Sequence, residues 1–87
     1  GDPLRLNILS EAGEESVVVL GGDAANGQVL QFVVPAGSWF GGRSEGEYSF
    51  VGCTVAPGFD FADFELGERE ALLARFPESR AAIEELT

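Results

Sequence analysis

Two strand-and-turn segments constrain the fold of this chain more than any other feature. Residues 34–40 read Val-Pro-Ala-Gly-Ser-Trp-Phe, so an apolar run enters a Pro-x-Gly turn and leaves it on two large aromatic rings. Residues 51–61 form a second apolar run, which is broken by Pro57 and Gly58. Proline and glycine preset the backbone angles that tight turns need. Segments of this kind are typical of the corners of a small β-barrel, so we expect an antiparallel β-fold.

The length of 87 residues allows one domain at most. A chain of this size buries about 60–65% of its unfolded surface, which leaves its stability marginal unless something reinforces it. Cys53 is the only cysteine and there is no histidine, so neither an intrachain disulfide nor a Cys/His zinc site is available. Oligomerisation is the remaining common remedy. A lone cysteine in an apolar run also predicts a reducing, cytoplasmic setting.

The charge balance argues against polyanionic partners. Fifteen acidic and five basic residues give a net charge of −10. Such a chain repels nucleic-acid phosphates and anionic membrane surfaces. No apolar run approaches the length of about 20 residues that a membrane-spanning helix needs. We therefore expect neither nucleic acid nor membrane as a partner.

Alternating apolar and polar residues predict four or five strands. Residues 11–15 and 21–27 carry turn and loop signals, and residues 41–46 predict a flexible polar loop after Trp39 and Phe40. The predicted strands cover residues 4–9, 16–20, 28–34 and 47–56, with an extended segment around residues 59–64.

The pattern changes to helical from Glu68 onward. Leu72 and Phe76 lie four residues apart on one helix face, and Pro77 ends that helix. A second helix follows, capped by Ser79, and its apolar stripe comprises Ala82, Ile83 and Leu86. The prediction is one domain over residues 1–87, with strands to about residue 66 and a helical tail over about 68–87.

Residues 33–40 and 51–65 resemble the C-terminal half of a cupin. More narrowly, they resemble the small branch of that superfamily whose biochemical role is largely unassigned. The resemblance implies an all-β fold, a double-stranded β-helix or RmlC-like jelly roll, with this chain as its C-terminal half and a short helical tail. Members of the branch are about twice this length, and their N-terminal half carries the first cupin motif with its histidines.

The resemblance also implies what this half lacks. In the second cupin motif a histidine stands three residues after the glycine of Pro-x-Gly and an asparagine four residues later; Phe40 and Ser44 occupy those positions here. We therefore expect no metal and no other cofactor in this half. The resemblance implies a small-molecule-binding barrel with a pocket of the sort used by sugar-nucleotide epimerases and isomerases. Whether the chain is an enzyme stays open, because it offers no histidine base.

Two aromatic residues and one amide are candidates for a ligand pocket. Trp39 and Phe40 at a barrel corner offer flat apolar surface for a ligand, or alternatively pack in the core or anchor an interface. Gln31 interrupts an apolar run, so a ligand or a water would have to satisfy it inside a barrel. The alternative is that Gln31 faces solvent.

Charged candidates follow in the second half of the chain. Arg43 could hold an anionic group such as a sugar phosphate, or be an ordinary surface arginine. Asp60, with Asp63 and Glu65, forms an acidic cluster between phenylalanines. Paired carboxylates can act as general acid and base, although a solvated face that alternates with buried rings explains the same pattern.

The predicted strand 47–56 is apolar on both faces. Tyr48 and Phe50 lie on one face, which predicts a barrel interior on one side and a partner subunit on the other. Five strands are too few to close an eight-stranded jelly roll and leave an apolar face and a strand edge uncovered. Two hypotheses follow: a small-molecule-binding barrel, or a structural module that completes its barrel with another copy of itself or with a chain supplying the missing half.

Overall fold

The structure is a computed structural model that describes residues 1–56, 58, 60, 62 and 64–87. A three-stranded antiparallel sheet is formed in the order β2-β1-β3, with β1 (Leu4–Leu9) in the centre, β2 (Glu15–Leu20) on one side and β3 (Trp39–Ser44) on the other. A single-turn 3₁₀ helix, Ala24–Asn26, lies between β2 and β3. The C-terminal tail contains two short α-helices.

The first two strands form a hairpin, as the sequence predicts. Leu9 pairs with Glu15 and Leu4 with Leu20. A hydrogen bond across the turn closes it: the Gly13 N–H donates to the Ser10 carbonyl at 3.0 Å. Gly13 has a φ of 87°, a conformation that costs a residue with a side chain more than it costs glycine. The predicted strands 4–9 and 16–20 are confirmed, β2 beginning one residue earlier.

The prediction of a flexible loop at 41–46 is wrong, because β3 continues through Ser44. The prediction fails because Gly41 and Gly42 look like loop residues, since glycine usually weakens a strand. In this strand the two glycines allow neighbouring side chains to pack closely against the backbone. A Cβ at Gly41 would lie 3.0 Å from the Cδ1 of Leu86 in the tail, and one at Gly42 would lie 3.3 Å from the side chain of Leu6. These glycines therefore mark packing positions in a strand.

The predicted strands 28–34 and 47–56 are also wrong. Only Val29 forms an isolated parallel bridge, to Leu20, and residues 47–56 contain no strand. A strand exists only when its backbone groups pair with a neighbour. Within the described part of the chain, residues 30–34 and 49–56 make no backbone-to-backbone hydrogen bond. The extended segment predicted around 59–64 falls mainly on residues 59, 61 and 63, which lie outside the described residues.

The helical tail is confirmed. It comprises α1 (Arg69–Arg75), a 3₁₀ turn (Pro77–Ser79) and α2 (Arg80–Leu86). Ser79 precedes α2 as predicted, but its side chain makes no capping hydrogen bond and is buried instead. The tail closes the core of the molecule, which comprises Leu9, Leu72, Phe76 and Ile83, with Trp39 and Leu73 packed against it.

Side-chain alternation gives β1 two different environments. Leu9 joins the core with the tail helices and Arg5 pairs with Glu85 of α2, so Arg5, Asn7 and Leu9 define the helix side of the sheet. Leu4, Leu6 and Ile8 define its far side. The described residues thus form an open sheet with helices on one side, and neither a closed barrel nor an all-β jelly roll.

Candidate functional site

The far side of β3 carries the two positions at which the cupin resemblance expects metal ligands. Phe40 pairs with Ile8 across the sheet and is 63% exposed. Ser44 is engaged in the turn that follows: the Gly46 N–H donates to its Oγ at 3.3 Å, and the Ser49 Oγ lies 2.8 Å away. In the described part of the chain, no group of three or more His, Cys, Asp and Glu residues is placed to hold a metal ion. The residues at these positions do not fit a metal.

The turn after β3 is fastened to the start of the chain. Asp2 donates its N–H to the Tyr48 carbonyl at 2.7 Å, and its Oδ2 accepts from the Glu47 N–H at 2.9 Å. The Glu45 N–H donates to the Pro3 carbonyl at 2.8 Å. Asp2 therefore fixes where the chain leaves β3. Sequence reasoning missed this role, because no local pattern signals a partner more than forty residues away.

Beyond that turn, the aromatic candidates lie at the surface. Tyr48 is mostly exposed and Phe50 is 91% exposed, while Val51 and Val55 are about half exposed. Gln31 is exposed beside Leu30, which is 87% exposed. In the described part of the chain, Gln31, Tyr48 and Phe50 thus lie at the surface and outside the strands of the sheet.

Trp39 and Arg43 occupy the helix side of β3, opposite to Phe40. Trp39 is partly buried and packs against the core cluster. Arg43 lies directly across the sheet from Arg5, and both guanidinium groups donate to the carboxylate of Glu85, Arg43 Nη1 at 3.1 Å. The predicted pocket residues of β3 are therefore divided between two faces, with Arg43 holding a helix of its own chain.

The acidic candidate Asp60 is exposed, and its Oδ1 accepts from the Ala62 N–H at 2.9 Å. Glu65 is exposed as well. Asp63, the third member of the predicted cluster, lies outside the described residues. The described contacts of Asp60 are those of a local turn.

A cavity of about 140 Å³ lies between the helix side of the sheet and the tail. Trp39 lines it from the helix side, and Phe40, whose side chain strand alternation assigns to the far side, also borders it. The other lining residues include Asn7, Leu72, Ala82 and Ile83. The Asn7 Oδ1 atom is buried and has no hydrogen-bond partner. Sequence reasoning missed Asn7 because the alternation along β1 predicts that its side chain faces solvent. In the structure the tail helices cover that side of the strand.

The Pro-x-Gly turn on which the sequence resemblance rests is formed in the structure, directly before β3. In that turn Gly37 has a φ of 81° and the Ser38 N–H donates to the Pro35 carbonyl at 3.2 Å. Residues 1–67 match the family described as Cupin superfamily (DUF985), and the chain belongs to that family. The helical tail lies beyond the matched residues.

Two solved structures resemble the whole chain. One is the X-ray crystal structure of a protein from Shewanella oneidensis, with 36% sequence identity and a TM-score of 0.87; the match covers 100% of this chain and 56% of that one. The other is a hypothetical protein from Leishmania major, with 28% identity and a TM-score of 0.83, covering 100% of this chain and 59% of that one. The chain thus spans little more than half the length of either structure.

No curated protein matches the chain at a significant level. Among the residues that the structure describes, no helix has the length and apolar character needed to cross a bilayer. The family to which the chain belongs is one of uncharacterised function.

Proposed function

We propose that this chain is an assembly module of a cupin, which binds a polypeptide supplying further cupin strands. In the same proposal, the small-molecule pocket of the cupin fold forms only in that complex. The observation that carries the proposal is the set of exposed, unpaired apolar segments at residues 30–34 and 49–56.

The exposed side chains of these segments are large and apolar. Leu30, Val33 and Phe50 are each more than four-fifths exposed, and Val51 and Val55 are about half exposed. Full burial of one such side chain is worth roughly 1.5–3 kcal/mol. Several together offset much of the roughly 4–15 kcal/mol that association costs. Covering these segments would therefore contribute favourably to the formation of a complex.

The backbone of the same segments supports strand pairing as the mode of binding. Their residues have the composition of strands, yet residues 30–34 and 49–56 make no backbone-to-backbone hydrogen bond in the described structure. Unpaired N–H and carbonyl groups beside apolar side chains are the features to which an added β-strand binds. A partner that contributes strands would satisfy both the backbone and the side chains.

The choice of partner rests on the structural neighbours. The chain covers 56% and 59% of the two matched structures, so each of them contains a substantial portion without a counterpart here. A polypeptide equivalent to that portion would bring strands of the same fold. We commit to this partner rather than to a second copy of the chain, because two copies would bring the same unpaired segments and no new sheet.

Binding of a small molecule, possible substrates included, belongs to the assembled barrel in this proposal. Phe40 projects from the far side of β3, the side that carries the expected ligand positions, and is largely exposed. A partner covering this side would enclose Phe40 in an apolar wall. A relation to sugar-nucleotide epimerases and isomerases rests on the superfamily alone. Sugar nucleotides are therefore the first class of ligand to screen against the complex.

Mixing experiments test the proposal directly. The probe is the portion of the Shewanella oneidensis protein that has no counterpart in this chain, produced separately. We expect a one-to-one complex by size-exclusion chromatography with light scattering. We also expect slower amide exchange at residues 30–34 and 49–56 in the complex, since pairing protects amides.

A matched pair of variants distinguishes specific binding from non-specific hydrophobic association. Phe50→Asp places a charge in the proposed interface, whereas Leu66→Asp places one at an exposed apolar residue outside both segments. We expect the first variant to abolish the complex and the second to retain it. The proposal is rejected if the chain stays monomeric in the presence of the probe and both segments exchange their amides rapidly. If the chain instead forms a homodimer in which both segments are protected, the partner is a second copy and our choice of partner is wrong.

A further inference from the structure

We propose that the partner polypeptide adds a strand to the outer edge of β3. The added strand pairs with the backbone of Phe40, Gly42 and Ser44, and it carries an acidic side chain beside Arg43. The inference rests on the proposed function for the identity of the partner. It goes beyond that function because it names a second contact surface, which lies in the sheet and not in the segments 30–34 and 49–56.

The hydrogen-bond pattern of β3 shows which of its backbone groups face outward. Just beyond the strand, the Glu45 N–H donates to the Pro3 carbonyl at 2.8 Å. Hydrogen-bonded pairs in an antiparallel ladder recur at every second residue, so the odd-numbered residues of β3 bond to β1. The backbone groups of Phe40, Gly42 and Ser44 therefore point away from β1, at the edge where the sheet ends.

This edge is open along its whole length in the described part of the chain. No backbone group outside the sheet bonds to residues 39–44 there. The opposite edge differs, because the Val29 N–H donates to the Val19 carbonyl of β2 at 3.0 Å. Natural sheets protect open edges with prolines or bulges, whereas β3 contains no proline and pairs residue for residue with β1. Such an edge is a template for an added strand.

Arg43 indicates an acidic side chain on the helix side of the added strand. Its side chain is 64% exposed, and its one described hydrogen bond runs from Nη1 to Glu85 at 3.1 Å. A guanidinium group has five N–H donors, so most of those of Arg43 remain for a second carboxylate. Arg5 lies directly across the sheet and adds a positive charge on the same side. Opposite charges on neighbouring strands stabilise their pairing.

The far side of β3 indicates an apolar residue on the same added strand. Phe40 is 63% exposed there, and Gly42 contributes no side chain. A Cβ at Gly42 would lie 3.3 Å from the side chain of Leu6 and 3.4 Å from that of Leu4, so the surface under it is apolar. Large aromatic side chains on a paired strand cover glycines of this kind. The added strand is thus acidic on one face and aromatic or aliphatic on the other.

The charge of the chain argues against a second copy as the source of this strand. Each chain carries a net charge of −10, and a high net charge opposes self-association. The portion of the Shewanella oneidensis protein without a counterpart here is a different sequence within one fold, since the match covers only 56% of that protein. We therefore commit to a polypeptide equivalent to that portion.

Residue-resolved amide exchange tests the pairing on the unmodified chain. In the free chain we expect the N–H groups of Gly41 and Arg43 to be protected by β1, and those of Phe40 and Gly42 to exchange at least about tenfold faster. Adding the separately produced unmatched portion of the Shewanella oneidensis protein should protect Phe40 and Gly42 as well. Equal protection of both sets in the free chain would show that the edge is already covered and would overturn the inference.

The same experiment distinguishes failure of this inference from failure of the proposed assembly. If the complex forms and protects residues 30–34 and 49–56 but leaves Phe40 and Gly42 exchanging as in the free chain, only the inference about β3 is wrong. If no complex forms with the probe, both are wrong. Neither outcome depends on a variant that has to fold.

Two variants at Phe40 test the backbone contact. Phe40→Pro removes an outward N–H, a change that an edge strand tolerates, whereas Phe40→Ala removes the ring and keeps the N–H. We expect the proline variant to bind the probe at least about fivefold more weakly than the alanine variant. Circular dichroism establishes that each variant is folded. Equal binding by the two folded variants would reject pairing at this edge.

Two arginine variants test the charge contact. Arg43→Gln should weaken binding of the probe about two- to fivefold. Arg80→Gln makes the same change in net charge at an exposed position of α2 and should leave binding unchanged. Equal effects of the two substitutions would reject the acidic side chain beside Arg43.

Discussion

Replacing Glu85 with glutamine tests how the tail is fastened to the sheet. Glu85 lies on α2 and accepts from the guanidinium groups of Arg5 on β1 and Arg43 on β3. These two arginines are direct cross-strand partners. Without the carboxylate, two positive charges would face each other with no anion between them. Glutamine keeps the size of the side chain, so the change is one of charge.

The structure sets the expected loss of stability. Arg43 is 64% exposed at its side chain, so its pair with Glu85 contributes only about 0.2–1 kcal/mol. Arg5 and Glu85 are 29% and 32% exposed, which places their pair near the upper end of that range. Uncompensated like charges directly opposite each other cost about 0.2–1 kcal/mol more. We expect Glu85→Gln to lower the free energy of unfolding by about 1–2 kcal/mol.

Thermal unfolding followed by circular dichroism measures this loss. For a domain of this size, 1 kcal/mol corresponds to a change of about 4–8 °C in melting temperature, so we expect a decrease of roughly 5–15 °C. The decrease should shrink at about 1 M salt, where the screening length falls to about 3 Å. Salt dependence distinguishes lost ion pairing from lost packing.

Glu84→Gln is the matched control on the same helix. The Glu84 carboxylate pairs with Arg80 four residues earlier and with no residue of the sheet. Its loss should cost only about 0.3–0.5 kcal/mol, the usual value of such a pair. Equal destabilisation by the two substitutions, or a loss at Glu85 that salt does not reduce, would refute the idea that Glu85 ties the tail to both strands.

Three further predictions concern packing and turns. Ile83→Ala should cost about 2–5 kcal/mol in denaturant unfolding, because Ile83 is buried in the core between tail and sheet; an unchanged midpoint would mean that the tail does not pack there. Asn7→Leu should raise the melting temperature, since it removes a buried acceptor that has no partner; a lower value would contradict this. Gly46→Ala should destabilise by about 1–3 kcal/mol, because its Cβ would collide with the carboxylate of Asp2. Gly52→Ala meets no atom within 4 Å and should be neutral or stabilising, so equal effects at the two glycines would argue against the Asp2 contact.

Local signals explain why part of the fold is predictable from sequence. Residues 4–9 and 16–20 alternate and are joined by a turn containing Gly13, so the hairpin needs no distant information. The tail has good helix formers before Pro77 and an apolar stripe ending at Leu86. Each of these elements is encoded by neighbouring residues, and each is present in the structure.

The failures share one physical cause, which is that a strand requires a partner. Residues 28–34 and 47–56 have strand composition, but within the described structure nothing pairs with residues 30–34 or 49–56. Residues 41–44 have loop composition, but they pair with β1, and the missing side chain at Gly41 leaves room for Leu86 of α2. Composition reports the tendency of a segment, whereas pairing depends on residues far away in the sequence.

The candidate site shows the same limit. Sequence reasoning selected Trp39, which lines the cavity from the helix side, and Phe40, which borders the same cavity although its side chain belongs to the far side of the strand. It passed over Asn7, because a polar residue in an alternating strand normally faces water. It also passed over Glu85, whose contacts with Arg5 and Arg43 depend on how α2 crosses the sheet. Which polar positions become buried is decided by tertiary packing, and no local pattern reveals it.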